Sequence, residues 1–96
     1  MRNSINENLE REDLQDGTVL IYLTKQAVES LDGIVYVEFE GEKIGSGEPL
    51  CTIESRKTVY TLCAPFKCEV VGKCEDASAI DGDCENIPLC RVRILQ

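Results

Sequence analysis

Residues 34–40, with the sequence IVYVEFE, alternate between two kinds of side chain with a period of two. Val35, Val37 and Phe39 fall on one face of an extended chain, whereas the two glutamates fall on the other. A helix would repeat its faces about every 3.6 residues, so this alternation predicts a half-buried β-strand. No other feature of the sequence limits the possible folds as strongly.

Further short β-prone runs occur along the chain and are separated by turn residues. Thr24 is a good N-cap for one short helix at residues 25–31, on which Ala27, Val28 and Leu31 share a face. With only 96 residues, the chain is expected to form an all-β flattened barrel or sandwich with this one short helix. The other predicted strands cover residues 18–23, 49–54, 58–62, 66–71 and 88–95.

The N-terminal part of the chain differs in composition from the rest. Residues 1–16 are polar and acidic with isolated leucines, and they predict a flexible arm with some helix around Leu9 and Leu14. A turn signal, Asp-Gly, ends this arm. The folded domain is therefore predicted to span residues 17–96.

Two turn-rich stretches, residues 41–48 and 74–85, show a weak internal similarity. Each contains one large apolar residue, Ile44 or Ile80, that can reach the core. Each is followed by a strand-like run that begins with Pro-Leu. Both stretches are predicted as turns or loops between strands, and two similar halves fit a β-sandwich.

The charge balance excludes some partners. Eighteen acidic and ten basic residues give a formal net charge of −8, which repels phosphate backbones, so no nucleic-acid partner is expected. No apolar run approaches the length of a membrane span, and the N-terminus lacks the apolar centre of a signal peptide. These observations predict a cytoplasmic protein without a membrane segment.

Six cysteines are many for so short a chain. A disulfide framework requires a secretory context, and a zinc site usually shows a close Cys-x-x-Cys pair or histidines, none of which is present. Several of the cysteines occupy strand-like positions. Free thiols packed as small apolar groups are the favoured interpretation, with disulfides or a metal as the alternatives. The cysteines are Cys51, Cys63, Cys68, Cys74, Cys84 and Cys90.

Lys57 lies between two β-prone runs, residues 49–54 and 58–62. This arrangement predicts the tip of a β-hairpin, the part of a small β domain that is most open to solvent. A modifying enzyme can reach an amine on such a tip. Position alone does not separate a modified lysine from an ordinary exposed cation.

From about residue 18 to residue 94 the chain resembles the glycine cleavage system H proteins and their H-like relatives, within the wider biotinyl/lipoyl domain family. Residues 23–38, LTKQAVESLDGIVYVE, resemble the strand, short helix and next strand of that family. Residues 41–50, GEKIGSGEPL, resemble the turn before the carrier strand. Residues 54–57, ESRK, with the later Ala-Pro and Glu-Val-Val, resemble the carrier hairpin and its return strand.

The resemblance implies a flattened lipoyl-type barrel in which Lys57 bears lipoic acid in amide linkage. It also implies that Glu54 helps the lipoylating enzyme, a lipoate ligase or lipoyl transferase, to recognise the turn. Biotin carriers resemble this domain too, but they flank their lysine with methionines. Here the neighbours are Arg56 and Thr58, so biotin is the less expected cargo.

The function implied is that of a non-catalytic carrier, which shuttles an aminomethyl group or reducing equivalents in glycine cleavage or in an H-like lipoate relay. The implied partners are glycine decarboxylase, aminomethyltransferase and dihydrolipoyl dehydrogenase, or relay enzymes. The sequence departs from the family pattern: it lacks the His-Glu-Trp stretch and the C-terminal helical region, and Cys68 replaces a usual glycine. An alternative is an unmodified scaffold that serves as an interaction or regulatory domain.

Overall fold

The computed structural model describes residues 2–74 and 76–96, so Met1 of the predicted arm and Glu75 of the stretch 74–85 lie outside the described residues. Strands dominate, with two short helices between them. In chain order the elements are β1 (Arg2–Ser4), β2 (Leu9–Asp13), β3 (Thr18–Leu23), α1 (Lys25–Leu31), β4 (Ile34–Phe39), β5 (Lys43–Ile44), β6 (Pro49–Ser55), β7 (Val59–Cys63), β8 (Cys68–Lys73), α2 (Ala77–Asp83) and β9 (Cys90–Ile94).

The strands form two antiparallel sheets around one core. The larger sheet has the order β1-β2-β3-β9-β8-β5, and the smaller has the order β4-β6-β7. Ile21 and Val92 enter the core from the larger sheet, and Leu50 and Ile53 enter it from the smaller one, each at most 1% exposed. Burying each such side chain stabilises the fold by about 1.5–3 kcal/mol. The predicted all-β sandwich is confirmed.

Strand β4 follows the predicted alternation except at its start. Its pairing with β6 contains an irregularity of the β-bulge kind between Ile34 and Tyr36. Ile34 is buried, Val35 is 59% exposed, and Val37 and Phe39 pack partly against the core. The predicted shared face of Val35, Val37 and Phe39 is therefore wrong at Val35, because a bulge adds one residue and turns that side chain outward.

The N-terminal segment belongs to the larger sheet, so the predicted flexible arm with helix around Leu9 and Leu14 is wrong. β1 pairs with β2, and β2 pairs with β3, in antiparallel register. Leu9 is fully buried in the core. The charged residues of these strands contact one another across the ladder: Arg2 lies 3.6 Å from the Glu10 carboxylate and over the ring of Tyr22. The polar and acidic composition of residues 1–16 hid these strands, because their charged side chains pair with one another within the sheet.

Helix α1 has the predicted bounds and cap, since the Ala27 backbone N–H donates to Thr24 Oγ1 at 3.1 Å. Helix α2 was not predicted and replaces part of the expected loop 74–85. Asp76 caps it by accepting from the Ser78 N–H at 3.1 Å, and Ile80 is fully buried. The missed signal is the helical spacing of Ala77, Ile80 and Cys84, of which Cys84 is the C-cap of the helix.

The six cysteines are free thiols, as predicted. Cys51, Cys68, Cys84 and Cys90 are buried, Cys74 is half-buried, and Cys63 is exposed. Burial raises the pKa of the Cys51 thiol to about 12 and raises that of Cys90 well above its ordinary value. Most of these thiols therefore act as small apolar side chains.

No helix among the described residues combines the length and the apolar character that a membrane crossing requires.

Replacing Leu9 by alanine tests whether the N-terminal strands are part of the folded unit. Because Leu9 is fully buried, Leu9→Ala should lower the free energy of unfolding by about 2–5 kcal/mol in urea titrations. Leu14→Ala, at a half-buried position in the same segment, should cost clearly less. Equal, negligible effects of both substitutions would contradict the integrated strands.

Brief alkylation of the native protein at pH 8 should label Cys63 first, because it is exposed, whereas half-buried Cys74 should react more slowly and the four buried thiols more slowly still. Cys63→Ser should remove this rapid label, and unfolding in urea without reductant should expose all six thiols, as read by intact mass.

A raised pKa means that folded Cys51 holds its proton more tightly than the unfolded chain does. Its contribution to stability is thus complete below the ordinary thiol pKa and declines as the pH rises toward 12.

Candidate functional site

Strands β6 and β7 form a hairpin whose base is buried and whose tip is open. β6 is the central strand of the smaller sheet, and Leu50, Cys51 and Ile53 fix it in the core. The last pair of the ladder joins Glu54 to Val59. Residues 55–58 form the turn beyond this pair, so the turn projects from a strand held on both edges.

The Ser55 side chain organises the turn. Its Oγ accepts the backbone N–H of Lys57 at 3.3 Å and that of Thr58 at 3.1 Å, and its hydroxyl donates to the Thr58 carbonyl at 3.1 Å. The Ser55 N–H donates to the same carbonyl at 2.9 Å. The sequence reasoning did not single out Ser55, although a serine before such a turn is a known signal for bonding its own backbone.

The corner between α1 and β4 braces the tip from the side. The Arg56 N–H donates to the Gly33 carbonyl at 3.1 Å. Gly33 has φ of 94°, and a Cβ at this position would lie 2.9 Å from Arg56 Nε. The positive φ favours glycine at this position, and a Cβ would in addition force the flexible Arg56 side chain to move aside. Asp32, which ends α1, also adopts the left-handed conformation, with φ of 56°.

Lys57 lies at the tip of the hairpin, with its side chain 71% exposed. Its Nζ lies 3.8 Å from Asp32 Oδ2, and that carboxylate is 58% exposed. Such solvent-exposed ion pairs contribute little, about 0–1 kcal/mol. The amine is therefore loosely held beside the brace and remains accessible.

Glu54 is exposed on the outer face of the smaller sheet, two residues before the centre of the turn. Its cross-strand neighbours are Tyr36 on β4 and Val59 on β7. The structure thus brings Glu54 and Lys57 to the same end of the hairpin, although Glu54 belongs to the strand and Lys57 to the turn.

The hairpin tip presents one primary amine, Nζ of Lys57, to solvent. The chain has no histidine, and no cluster of three metal-ligating side chains occurs within residues 2–74 and 76–96. A cleft of about 330 Å³ lies elsewhere, between β8, β9 and α2, and Cys74 and Cys90 line it. The chemistry that the hairpin offers is a primary amine on a rigid support.

Two sheets around one core, with an exposed lysine on a braced hairpin tip, define a domain of the biotinyl/lipoyl type. The family model described as "Glycine cleavage H-protein" matches residues 4–85, and the chain belongs to this family. The resemblance found in the sequence is thereby confirmed.

Individual relatives agree with this assignment. A probable glycine cleavage system H protein of Pyrococcus abyssi is 42% identical over 67 residues, covering 68% of this chain and 50% of the relative. A glycine cleavage system H protein of Chlorobium chlorochromatii is 33% identical over 86 residues, covering 84% of this chain and 69% of the relative. This chain spans about half the length of the archaeal relatives that it matches.

The fold agrees with a solved structure. The crystal structure of a glycine cleavage system H protein from Mycobacterium marinum superimposes with a TM-score of 0.81 at 28% sequence identity. The match covers 97% of this chain and 83% of that chain. Almost the whole chain therefore takes part in the match.

Ser55→Ala should loosen the turn, because two backbone N–H groups and one carbonyl lose their side-chain partner. We expect a loss of about 0.5–1.5 kcal/mol in the free energy of unfolding and faster amide exchange at Lys57 and Thr58. Ser46→Ala is the matched control: it also removes an exposed-turn hydroxyl, but one with no hydrogen-bond partner among the described residues. Unchanged exchange at both amides would contradict the role of Ser55.

Proposed function

We propose that this chain is a lipoyl carrier, with lipoate joined by an amide bond to Nζ of Lys57. The observation that carries the proposal is the position of Lys57: a largely exposed amine at the tip of a doubly braced hairpin in a glycine cleavage H-protein fold. The residues present fit the group, since the amine is uncrowded and its ion pair with Asp32 is easily broken.

The attachment chemistry follows from the state of the amine. A lysine amine is protonated near neutral pH, so the acylating enzyme must remove a proton before Nζ can attack an activated lipoyl carboxyl group. The C–N bond forms, the activating group leaves, and the positive charge disappears. Loss of that charge ends the attraction between Lys57 and Asp32. Once bound, lipoate would supply thiol–disulfide chemistry, with its ring opening to a dithiol and closing again.

The role that fits this site is a swinging-arm shuttle without catalytic groups of its own. Its cargo would be an aminomethyl group or reducing equivalents, and its partners glycine decarboxylase, aminomethyltransferase and dihydrolipoyl dehydrogenase, or the enzymes of an H-like relay. The names of the relatives support the glycine cleavage system. Six free thiols support a reducing compartment, and we place the protein in the cytoplasm.

Glu54 would be recognised by the lipoate ligase or lipoyl transferase before Lys57 is acylated. Its exposure, and its location on the strand that leads into the turn, support this role. Arg56 and Thr58 flank the lysine where biotin carriers have methionines, which supports lipoate as the cargo.

The decisive measurement is the intact mass after incubation with lipoate, ATP and a lipoate ligase. We expect the addition of one lipoyl group and its complete loss in Lys57→Arg, which keeps the charge but removes the acceptor amine. Lys67→Arg, at another exposed lysine, is the matched control and should be modified normally. No addition to the unmutated protein with several ligases would overturn the proposal and leave the unmodified scaffold as the interpretation.

A further inference from the structure

Apolar side chains are concentrated on the surface next to Lys57. Five large apolar side chains are exposed among the described residues, and three of them, Val35, Tyr36 and Val59, are more than half exposed. Their exposed fractions are 59%, 51% and 60%, respectively. The two others, Tyr60 and Val71, are each 37% exposed. Exposed apolar groups that gather in one place mark interaction sites more often than chance placement does.

The strand register places this group on one face. Tyr36 pairs with Glu54, and Glu54 pairs with Val59, so the three residues form a row across β4, β6 and β7. Val35 is the chain neighbour of Tyr36 at the bulge. We call Val35, Tyr36, Glu54 and Val59 the tip-side patch.

Glu54 is a carboxylate between two exposed apolar groups. Within residues 2–74 and 76–96 it takes part in no ion pair. A partner that covered the patch would remove apolar surface from water and would have to offer a cation to Glu54, since an unpaired buried carboxylate is costly. The patch therefore predicts a complementary surface that is apolar and contains one basic side chain.

A second copy of the chain does not have this complementary chemistry. A two-fold contact between two patches would bring two Glu54 carboxylates together, on proteins that each carry a net charge of −8. Like charges placed together in an interface are unfavourable. The occupant is therefore a different protein.

The location of the patch identifies which protein. An enzyme that acylates Lys57 must take Nζ itself into its active site, so it must cover the residues around the turn. Thr58 alone separates Lys57 from Val59 in the chain. Enzymes that receive the loaded arm can dock farther away, because the arm bridges the distance.

We propose that the tip-side patch is the docking surface for the enzyme that acylates Lys57, through an apolar surface with one cation facing Glu54. This inference rests on the proposed function. It extends recognition from Glu54 to its apolar neighbours, so that Tyr36 and Val59 contact the acylating enzyme.

The test compares Val59→Glu with Val71→Glu. Both substitutions place the same charge on an exposed strand valine, but Val71 lies on β8 in the larger sheet. With a lipoate ligase, lipoate and ATP, and acylation followed by intact mass, Val59→Glu should lower kcat/KM about tenfold, mainly through a higher KM. Val71→Glu should stay within about twofold of the unmutated protein.

Val59→Thr keeps the shape and strand preference of valine, so it provides the decision if Val59→Glu fails to fold, as judged by thermal unfolding. We expect it to lower kcat/KM by about threefold through KM. If the unmutated protein is acylated but both Val59 variants match Val71→Glu, the docking surface is wrong and the carrier function stands. An effect on kcat alone, or only on enzymes that receive the loaded arm, would also overturn the docking proposal. If the unmutated protein is never acylated, the proposed function itself fails.

Discussion

The burial of β6 is the constraint on which the site depends. Leu50, Cys51 and Ile53 are at most 1% exposed, and β4 and β7 hold the strand by hydrogen bonds on both edges. A central strand fixed in this way cannot shift its register without moving its apolar residues out of the core. The position of the turn beyond β6 is therefore set by packing, and the flexibility of Lys57 is confined to its own side chain.

Two local devices extend this order from the strand to the tip. Ser55 satisfies the backbone of the turn from within, and Gly33 binds the backbone of Arg56 from the side. With a cargo on Lys57, as proposed, a backbone that is held in place up to Lys57 lets the lysine side chain and the tether decide how far the cargo travels. The local concentration of the cargo at a partner site then depends on tether length, which is the basis of transfer by a swinging arm.

The sequence revealed the features whose signals are local and apolar. Thr24 marked the start of α1, so this helix was predictable. Lys57 stood between two β-prone runs, so the hairpin was predictable as well. The N-terminal strands were not predictable from the sequence. Their cross-strand partners are charged residues, which predict a solvent-exposed arm, and only the structure shows that Arg2 and Glu10 form an ion pair. The bulge at Val35 was equally hidden, since it is defined by the pairing of β4 with β6 and not by β4 alone.

The charges around the tip give the two states of such a carrier different surfaces. Before acylation, the Lys57 ammonium lies beside the Asp32 carboxylate, and the tip holds cations as well as acids. After acylation as proposed, the formal net charge changes by one, from −8 to −9, and Asp32 loses its nearby partner. The tip then carries the carboxylates of Asp32 and Glu54 against the single guanidinium of Arg56. An enzyme that modifies the lysine and an enzyme that uses the cargo thus meet different electrostatic fields on the same rigid support, and this difference can direct each to the correct state without any change in the fold.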